Sequence, residues 1–361
     1  MNNLDIFSNR SVLVTGHTGF KGSWLCAWLN HLGANVTGIA LSPPSVPSHF
    51  DAIRLSELID DHRVDIRDFE KTQTVIREAK PDFVFHLAAQ SLVRRSYIEP
   101  IETYQTNIQG TLNVLESLRK VDKPCVAIII TSDKCYENAE WIWGYRENDR
   151  LGGTDPYSAS KSAAEILVHS HVKSFFPENG LVRLGIARAG NVIGGGDWAT
   201  DRIVPDCVRA WANADDALLR NPHSTRPWQH VLEPLSGYLT LAMALHMDGH
   251  LHGEPFNFGP RPDENHSVIE LVQAKAKYWP SVKWQEMDQT LDSPKESHLL
   301  RLNCDKAQRL LKWQATLSFE EMVRMTSEWY CHYYECPDPI REVTFTQIRQ
   351  YETLFQDRKP L

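Results

Sequence analysis

Cysteine is scarce in this chain of 361 residues: there are seven, Cys26, Cys125, Cys135, Cys207, Cys304, Cys331 and Cys336. No two have the CxxC spacing, and the number is odd. The pattern offers neither a disulfide framework nor a zinc site, no metal is expected, and a reducing compartment suits it best. Long apolar runs are missing too. Nothing approaches the ~20 residues needed to cross a bilayer, and Met1 to Arg10 lacks the basic and apolar sectors of a leader peptide. A cytoplasmic protein without membrane contact is expected. Positive charge is in deficit, with 38 Lys and Arg against 46 Asp and Glu, a formal net charge of -8. Nucleic acid is therefore disfavoured as the main partner, because phosphate neutralisation needs clustered basic residues. A local basic pocket for a diphosphate remains compatible with that balance. A chain of this length can bury its core without staples.

What is present is an alternation of strand and helix patterns. Ser11-Val-Leu-Val-Thr-Gly16 reads as a buried strand. Residues 20–32 follow with apolar side chains at Trp24, Leu25, Trp28, Leu29 and Leu32, which is helical spacing, and Gly33 as a stop. Strands are predicted at 35–40, 63–66, 83–88, 126–132 and 184–190. Helices are predicted at 68–79, 100–120 and 156–176, the last beginning on a proline. Such alternation implies an α/β, Rossmann-type, doubly wound parallel sheet covered on both faces. Ligands then bind beyond the carboxyl ends of the strands, here at Gly16, Ala88, Ser132 and Gly190. After about residue 190 the alternation fades, with helices predicted at 268–278, 305–311 and 319–333. A dinucleotide-binding domain over residues 1–188 and a smaller mixed α/β substrate domain over 189–361 are expected.

Two motifs carry chemistry. Gly16-His17-Thr18-Gly19-Phe20-Lys21-Gly22 lies between the first strand and the first helix. Glycines three apart allow a tight turn and close backbone approach, and the helix amino terminus then faces a pyrophosphate. His17 and Lys21 either tune phosphate affinity or point to solvent. No carboxylate follows the second strand at Ala40-Leu41-Ser42 to hold a ribose 2′-hydroxyl, and no arginine is near in sequence for a 2′-phosphate. NAD is preferred, with NADP still open. The second motif is Tyr157-Ser-Ala-Ser-Lys161, which puts a phenol and an ammonium one helical turn apart on one face. The ammonium is expected to lower the phenol pKa, so that the phenolate acts as a general base toward a sugar hydroxyl.

The GxxGxxG loop and the Tyr157/Lys161 pair resemble the extended branch of the short-chain dehydrogenase/reductase superfamily. Ser132-Asp133-Lys134, the opening from Gly16 to Trp24, Gly194 to Trp198 and Asp201-Arg-Ile-Val-Pro-Asp206 are similar to the CDP-glucose 4,6-dehydratase family. The likeness runs from Ser11 to at least Trp313 and is looser after about Ser267. It implies CDP-glucose as substrate and the 4-keto-6-deoxy sugar as product, a step toward the dideoxyhexoses of bacterial O-antigen polysaccharide. It implies Ser132 as the third member of the redox set. A 4,6-dehydratase must also remove the C5 proton and expel the C6 hydroxyl. Asp133 as acid and Lys134 as base would serve, where thymidine-linked relatives carry Thr-Asp-Glu. Cofactor contacts are implied at Gly16, Thr18, Gly19, Phe20, Lys21, Gly22, Asp65, Ile66, Leu87, Ala88, Ala89, Thr106, Tyr157 and Lys161. Substrate diphosphate contacts are implied at Asn191, Arg202 and Arg226, although each arginine also fits a surface ion pair. Trp198 either stacks on the base or packs in the core. Asn107 either supports Lys161 or lies on the surface. The superfamily dimerises through its long helices, so Leu112, Leu115, Leu118, Ile166, Leu167 and Val172 are expected at a homodimer or dimer-of-dimers contact, unless they face the sheet. An NAD-dependent 4-epimerase, which has no use for Asp133 and Lys134, is the alternative enzyme. A dinucleotide-sensing protein, which need not keep the redox set, is the non-catalytic one.

Overall fold

Seven parallel strands form the central sheet of the computed structural model, which describes residues 3–262, 264–279, 282–286, 299–336 and 340–358. The first half alternates β1 (Ser11–Thr15), α1 (Phe20–His31), β2 (Asn35–Ala40), α2 (His49–Ala52), β3 (Asp60–Arg63), α3 (Phe69–Ala79) and β4 (Phe83–His86). There follow α4 (Val93–Ile98), α5 (Pro100–Tyr104), a π turn (Gln105–Gln109), α6 (Gly110–Leu118), β5 (Cys125–Ile130), α7 (Pro156–Phe175) and β6 (Val182–Ala189). The second half holds β7 (Val192–Ile193), α8 (Ile203–Ala212), β8 (Ala217–Leu219), β9 (Thr225–Arg226), β10 (Gln229–His230) and α9 (Leu232–Met247). It continues through β11 (Pro255–Phe258), β12 (His266–Ser267), α10 (Val268–Ala276), β13 (Trp284–Glu286), α11 (Phe319–Glu335) and α12 (Ile340–Asp357).

The sheet order is β11-β6-β5-β4-β1-β2-β3. The chain starts in the middle, winds outward one way to β3, then returns to β4 and winds the other way. That reversal between β1 and β4 opens a crevice at the carboxyl ends of the strands. Period-two alternation sorts strand side chains between two cores. Val12, Val14, Phe83, Phe85, Val126, Ile128 and Ile130 join α1 and α9 on one face. Leu13, Val84, Ala127 and Ile129 join α3, α6 and α7 on the other.

Three expectations change. The third strand lies at Asp60–Arg63 rather than 63–66, because an edge strand can be wholly polar and carry no apolar signature. The main sheet also continues past residue 188: β11 pairs with β6 as its outermost strand. The helix leading there, α9, is buried nearly all round, so it shows no amphipathic period. Finally, Leu115, Leu118 and Val172 pack into the sheet-facing core instead of a dimer contact. Ile166 is exposed, as are Ile98 and Ile101 on α4 and α5.

The carboxyl-terminal helix α12 folds back onto the first half. Trp28 Nε1 donates to Glu352 at 2.8 Å, and Arg341 Nη2 donates to Glu57 at 2.6 Å. Its Tyr351 hydroxyl donates at 2.8 Å to the buried Glu233 carboxylate of α9, which also accepts from the backbone N–H groups of Thr316 and Leu317. Burial pushes Glu233 up from 4.5 to about 7, against those hydrogen bonds. A carboxyl whose folded pKa is raised stabilises the fold fully below its unfolded pKa and loses that contribution as pH climbs through the folded value. Thermal stability should therefore fall between about pH 4.5 and about pH 7, with this group contributing on the order of 3 kcal/mol. Calorimetry of Glu233→Gln should show a flatter pH profile; an unchanged slope would assign the effect to another group.

Candidate active site

The crevice has a volume of about 1040 Å³ and is lined from both halves of the chain. The loop after β1 forms its floor. Gly16 adopts φ +77, and a Cβ on Gly22 would stand 2.1 Å from the Gly16 carbonyl oxygen, so the turn closes only without side chains there. Gly19 caps α1 with no side-chain hydrogen bond, which leaves first-turn N–H groups of Phe20, Lys21 and Gly22 for an anion. Thr18 Oγ1 ties the loop to the Leu41 carbonyl at 3.0 Å. Behind it a buried relay, Thr15 Oγ1 to His86 Nδ1 at 2.7 Å and His86 Nε2 to Thr111 Oγ1 at 3.0 Å, locks the neighbouring strand ends. Burial pulls His86 down to about 3, so the imidazole is neutral. Leu87, Ala88, Ala89 and Thr106 line the same wall.

His17 and Lys21 do not point to solvent. His17 is fully buried, with Nε2 2.8 Å from Asp61 Oδ1. Lys21 lines the crevice, and burial first, then the charges of Lys161 and Arg202, draw its ammonium down to about 8. Asp65 and Ile66 line the crevice too. Asp65, however, is held by Arg67, whose Nη2 donates at 2.6 Å. Contrary to the sequence reading, an arginine does stand near Leu41. β2–β3 pairing sets Ala40 opposite Arg63, whose Nη1 donates to the Leu41 carbonyl at 3.1 Å. Its Nε and Nη2 are committed to Asp61 at 3.1 and 2.8 Å.

The opposite wall carries the phenol. Asp155 caps α7 by accepting from Ser158 N at 2.9 Å, Pro156 fills the first turn, and Tyr157 N donates to Ser96 Oγ at 3.2 Å. Tyr157, Lys161, Ser132, Asp133 and Lys134 all line the crevice. Thr131 and Ser132 point opposite ways at the end of β5: Thr131 Oγ1 donates to Glu165 at 2.6 Å, whereas Ser132 faces the phenol. This distinguishes Ser132 from Thr131 on geometry. Ser132 Oγ donates to Asp133 Oδ1 at 2.9 Å and accepts from Lys134 N at 3.2 Å, so the three residues form one closed turn. A Cβ on Gly190 would lie 2.1 Å from Asp133 Oδ2, so the carboxylate needs a glycine opposite it.

The expected lowering of the phenol pKa is not what the structure gives. Burial pushes Tyr157 up to about 12; the Ser132 hydrogen bond and the Arg202 charge oppose this, while Asp133 adds to it. The cost of burying a phenolate outweighs the nearby positive charge. Burial likewise brings Lys161 down to about 8, with Glu165 opposing. Asn107 does not support Lys161. It accepts from Gln90 N at 2.8 Å and donates to Gln90 O at 3.0 Å and Ser160 Oγ at 2.8 Å, bracing the crevice loop against α7.

On the second-half side, Asn191, Arg202 and Arg226 line the crevice. Arg202 Nη1 pairs with Asp197 at 2.8 Å, and Arg226 Nη1 donates to the Thr225 carbonyl at 2.9 Å. Trp198 is buried among Trp329, Tyr330 and Tyr333, the core alternative. Sequence reasoning missed Arg94 and Arg220, which reach Asp201 at 3.4 and 2.9 Å, and Arg209, which pairs with Asp206. All three arginines line the crevice. Arg94 stands on α4, Arg209 on α8 and Arg220 beyond β8, and only the fold gathers charges so far apart in the chain. Among the described residues, no cluster of three or more His, Cys, Asp or Glu could hold a metal ion.

Comparison with known proteins agrees with this geometry. A profile of the family described as GDP-mannose 4,6 dehydratase matches residues 13–326. The chain is 47% identical to the CDP-glucose 4,6-dehydratase of Salmonella typhimurium over 330 residues, covering 90% of this chain and 92% of that protein. It is 25% identical to the UDP-glucose 4-epimerase of Mycoplasma pneumoniae, covering 90% and 97%. Among solved structures, UDP-glucuronic acid 4-epimerase from Bacillus cereus, in complex with UDP-glucuronic acid and NAD, superposes with a TM-score of 0.76 at 23% identity, covering 90% of this chain and 99% of that one. That likeness speaks to the fold.

Proposed function

The chain belongs to the GDP-mannose 4,6-dehydratase family of the extended short-chain dehydrogenases/reductases, and on that footing we propose that it converts CDP-glucose to CDP-4-keto-6-deoxyglucose. One observation carries the choice of dehydration over epimerisation: the Ser132–Lys134 turn shares a wall with Tyr157 and Lys161. An epimerase needs only the redox set; a dehydratase also needs an acid and a base within reach of C5 and C6.

The glycine cradle and the uncapped start of α1 fit a dinucleotide pyrophosphate, and Lys161 lines the same crevice. Arg63 is ion-paired with Asp61 and lies outside the crevice lining, which supports NAD. When bound, a nicotinamide dinucleotide supplies the acceptor for a hydride from C4, the donor that returns it at C6, and in its oxidised form a positive ring beside the phenol.

Tyr157 takes the 4-hydroxyl proton, with Ser132 hydrogen-bonding the same oxygen. The resulting 4-ketone acidifies C5. Lys134, as its neutral amine, removes the C5 proton, and Asp133, as its neutral acid, protonates the C6 oxygen as it departs as water. A proton returns to C5, and because the hydride taken from C4 would be given back at C6, the cycle is redox-neutral. Asn191, Arg202 and Arg226 hold the diphosphate, the guanidinium forks matching its oxygens.

Incubation with CDP-glucose should yield the 4-keto-6-deoxy product, detected by its absorbance in strong base, without net reduction of the dinucleotide. No product from CDP-glucose would remove the proposal.

A further inference from the structure

Beneath the turn that carries Ser132, Asp133 and Lys134 lies an ion pair that the reaction scheme does not use. Glu165 stands on α7 one turn beyond Lys161, and Arg188 on β6. Arg188 Nε donates to both Glu165 oxygens, at 2.8 and 3.0 Å, and its Nη2 donates to Oε2. The side chains are 1% and 3% exposed. Burying two charges is costly unless every remaining donor and acceptor is satisfied.

Where those remaining groups go is informative. Glu165 Oε1 accepts from Thr131 Oγ1 at 2.6 Å. Arg188 Nη1 donates to the Tyr136 hydroxyl at 2.6 Å and to the Glu147 carbonyl at 3.0 Å. Thr131 and Tyr136 bracket residues 132–135, so one ion pair grips both ends of the turn. Tyr136 then donates to Asn257 Oδ1 at 2.7 Å, and Ser162 Oγ of α7 donates to the Cys135 carbonyl at 2.8 Å. Tyr157 is anchored separately, through the Asp155 cap and Ser96.

We propose that Glu165 and Arg188 are positioning residues for the elimination step: they hold Asp133 and Lys134 against C6 and C5 of a sugar whose C4 lies at Tyr157. The inference rests on the dehydratase reading above. Because Tyr157 has its own anchors at the head of α7, loosening the clamp's grip on residues 131–136 slows loss of water more than oxidation at C4. A displacement of about 1 Å at reacting groups costs up to ~100-fold.

The test uses the purified full chain with bound dinucleotide and CDP-glucose. Thr131→Val leaves the ion pair and its field on Lys161 intact and removes one grip on the turn. Glu165→Gln removes the charge itself. Each should form product more slowly, several-fold for Thr131→Val and about 10- to 100-fold for Glu165→Gln, with KM little changed. The near-ultraviolet absorbance of reduced nicotinamide should build up on mixing, because oxidation outruns elimination. If Glu165→Gln fails to fold, Thr131→Val decides. Wild-type product rates in the variants, or equal losses of oxidation and elimination with no build-up, would overturn the inference. Failure of the wild-type protein to form product would instead sink the dehydratase reading.

Discussion

Tyr157→Phe should lower turnover of CDP-glucose by about 10²–10⁴-fold, the usual contribution of a positioned acid–base group. The change removes one oxygen from a residue that is 7% exposed and keeps the ring, so packing around α7 is conserved. KM should move little, because the diphosphate is held elsewhere. No reduced dinucleotide should accumulate, since the block precedes oxidation. The direction of the phenol's pKa sharpens the expectation. Burial holds it near 12, so the phenol keeps its own proton in this state and must give it up before it can accept the one on the 4-hydroxyl. A residue so guarded has no easy substitute among its neighbours: Ser132 is bonded to Asp133, and Lys161 is a cation that offers no lone pair while charged. Turnover close to wild type would show that another group takes the 4-hydroxyl proton.

Lys134→Met should be as damaging, at about 10²–10⁴-fold, but with the opposite signature. Oxidation at C4 proceeds, C5 keeps its proton, and reduced nicotinamide accumulates. Exchange of the C5 hydrogen with solvent deuterium, read by nuclear magnetic resonance of recovered sugar nucleotide, should stop. Methionine keeps the length and apolar stem of lysine and removes only the amine, which isolates proton transfer from packing. Unaltered exchange would transfer the role of base to another crevice residue. The two variants thus separate the two halves of the reaction, whose residues line one crevice.

The legible parts of the site share a physical property. Gly16 to Gly22, Tyr157 to Lys161 and Ser132 to Lys134 are each contiguous, and each does its work within one turn or one helical repeat. Helix α3 buries one face and leaves a period in the chain, whereas β1, α1 and α7 were readable from their end signals, an apolar run closing on Gly16, Gly33 as a stop and Pro156 as a start. Helix α9 left none, being buried all round, and β3 left none, being a polar edge. The fate of Leu115, Leu118 and Val172 turned on which face of each helix the sheet covers, which a period does not state.

By itself, then, the sequence determined the alternating architecture and the segments of the candidate site, the glycine loop, the Tyr157/Lys161 pair and the Ser132–Lys134 turn, because neighbours in the chain are neighbours in space over such spans. Tertiary structure alone decided that Arg63 stands beside Leu41 yet is neutralised by Asp61, that Trp198 packs in the core, that Tyr157 is pushed up rather than down, and that Glu165 and Arg188 clamp the turn from beneath. Each depends on groups far apart in the chain whose meeting, and whose shared exclusion of water, exists only once the sheet has closed.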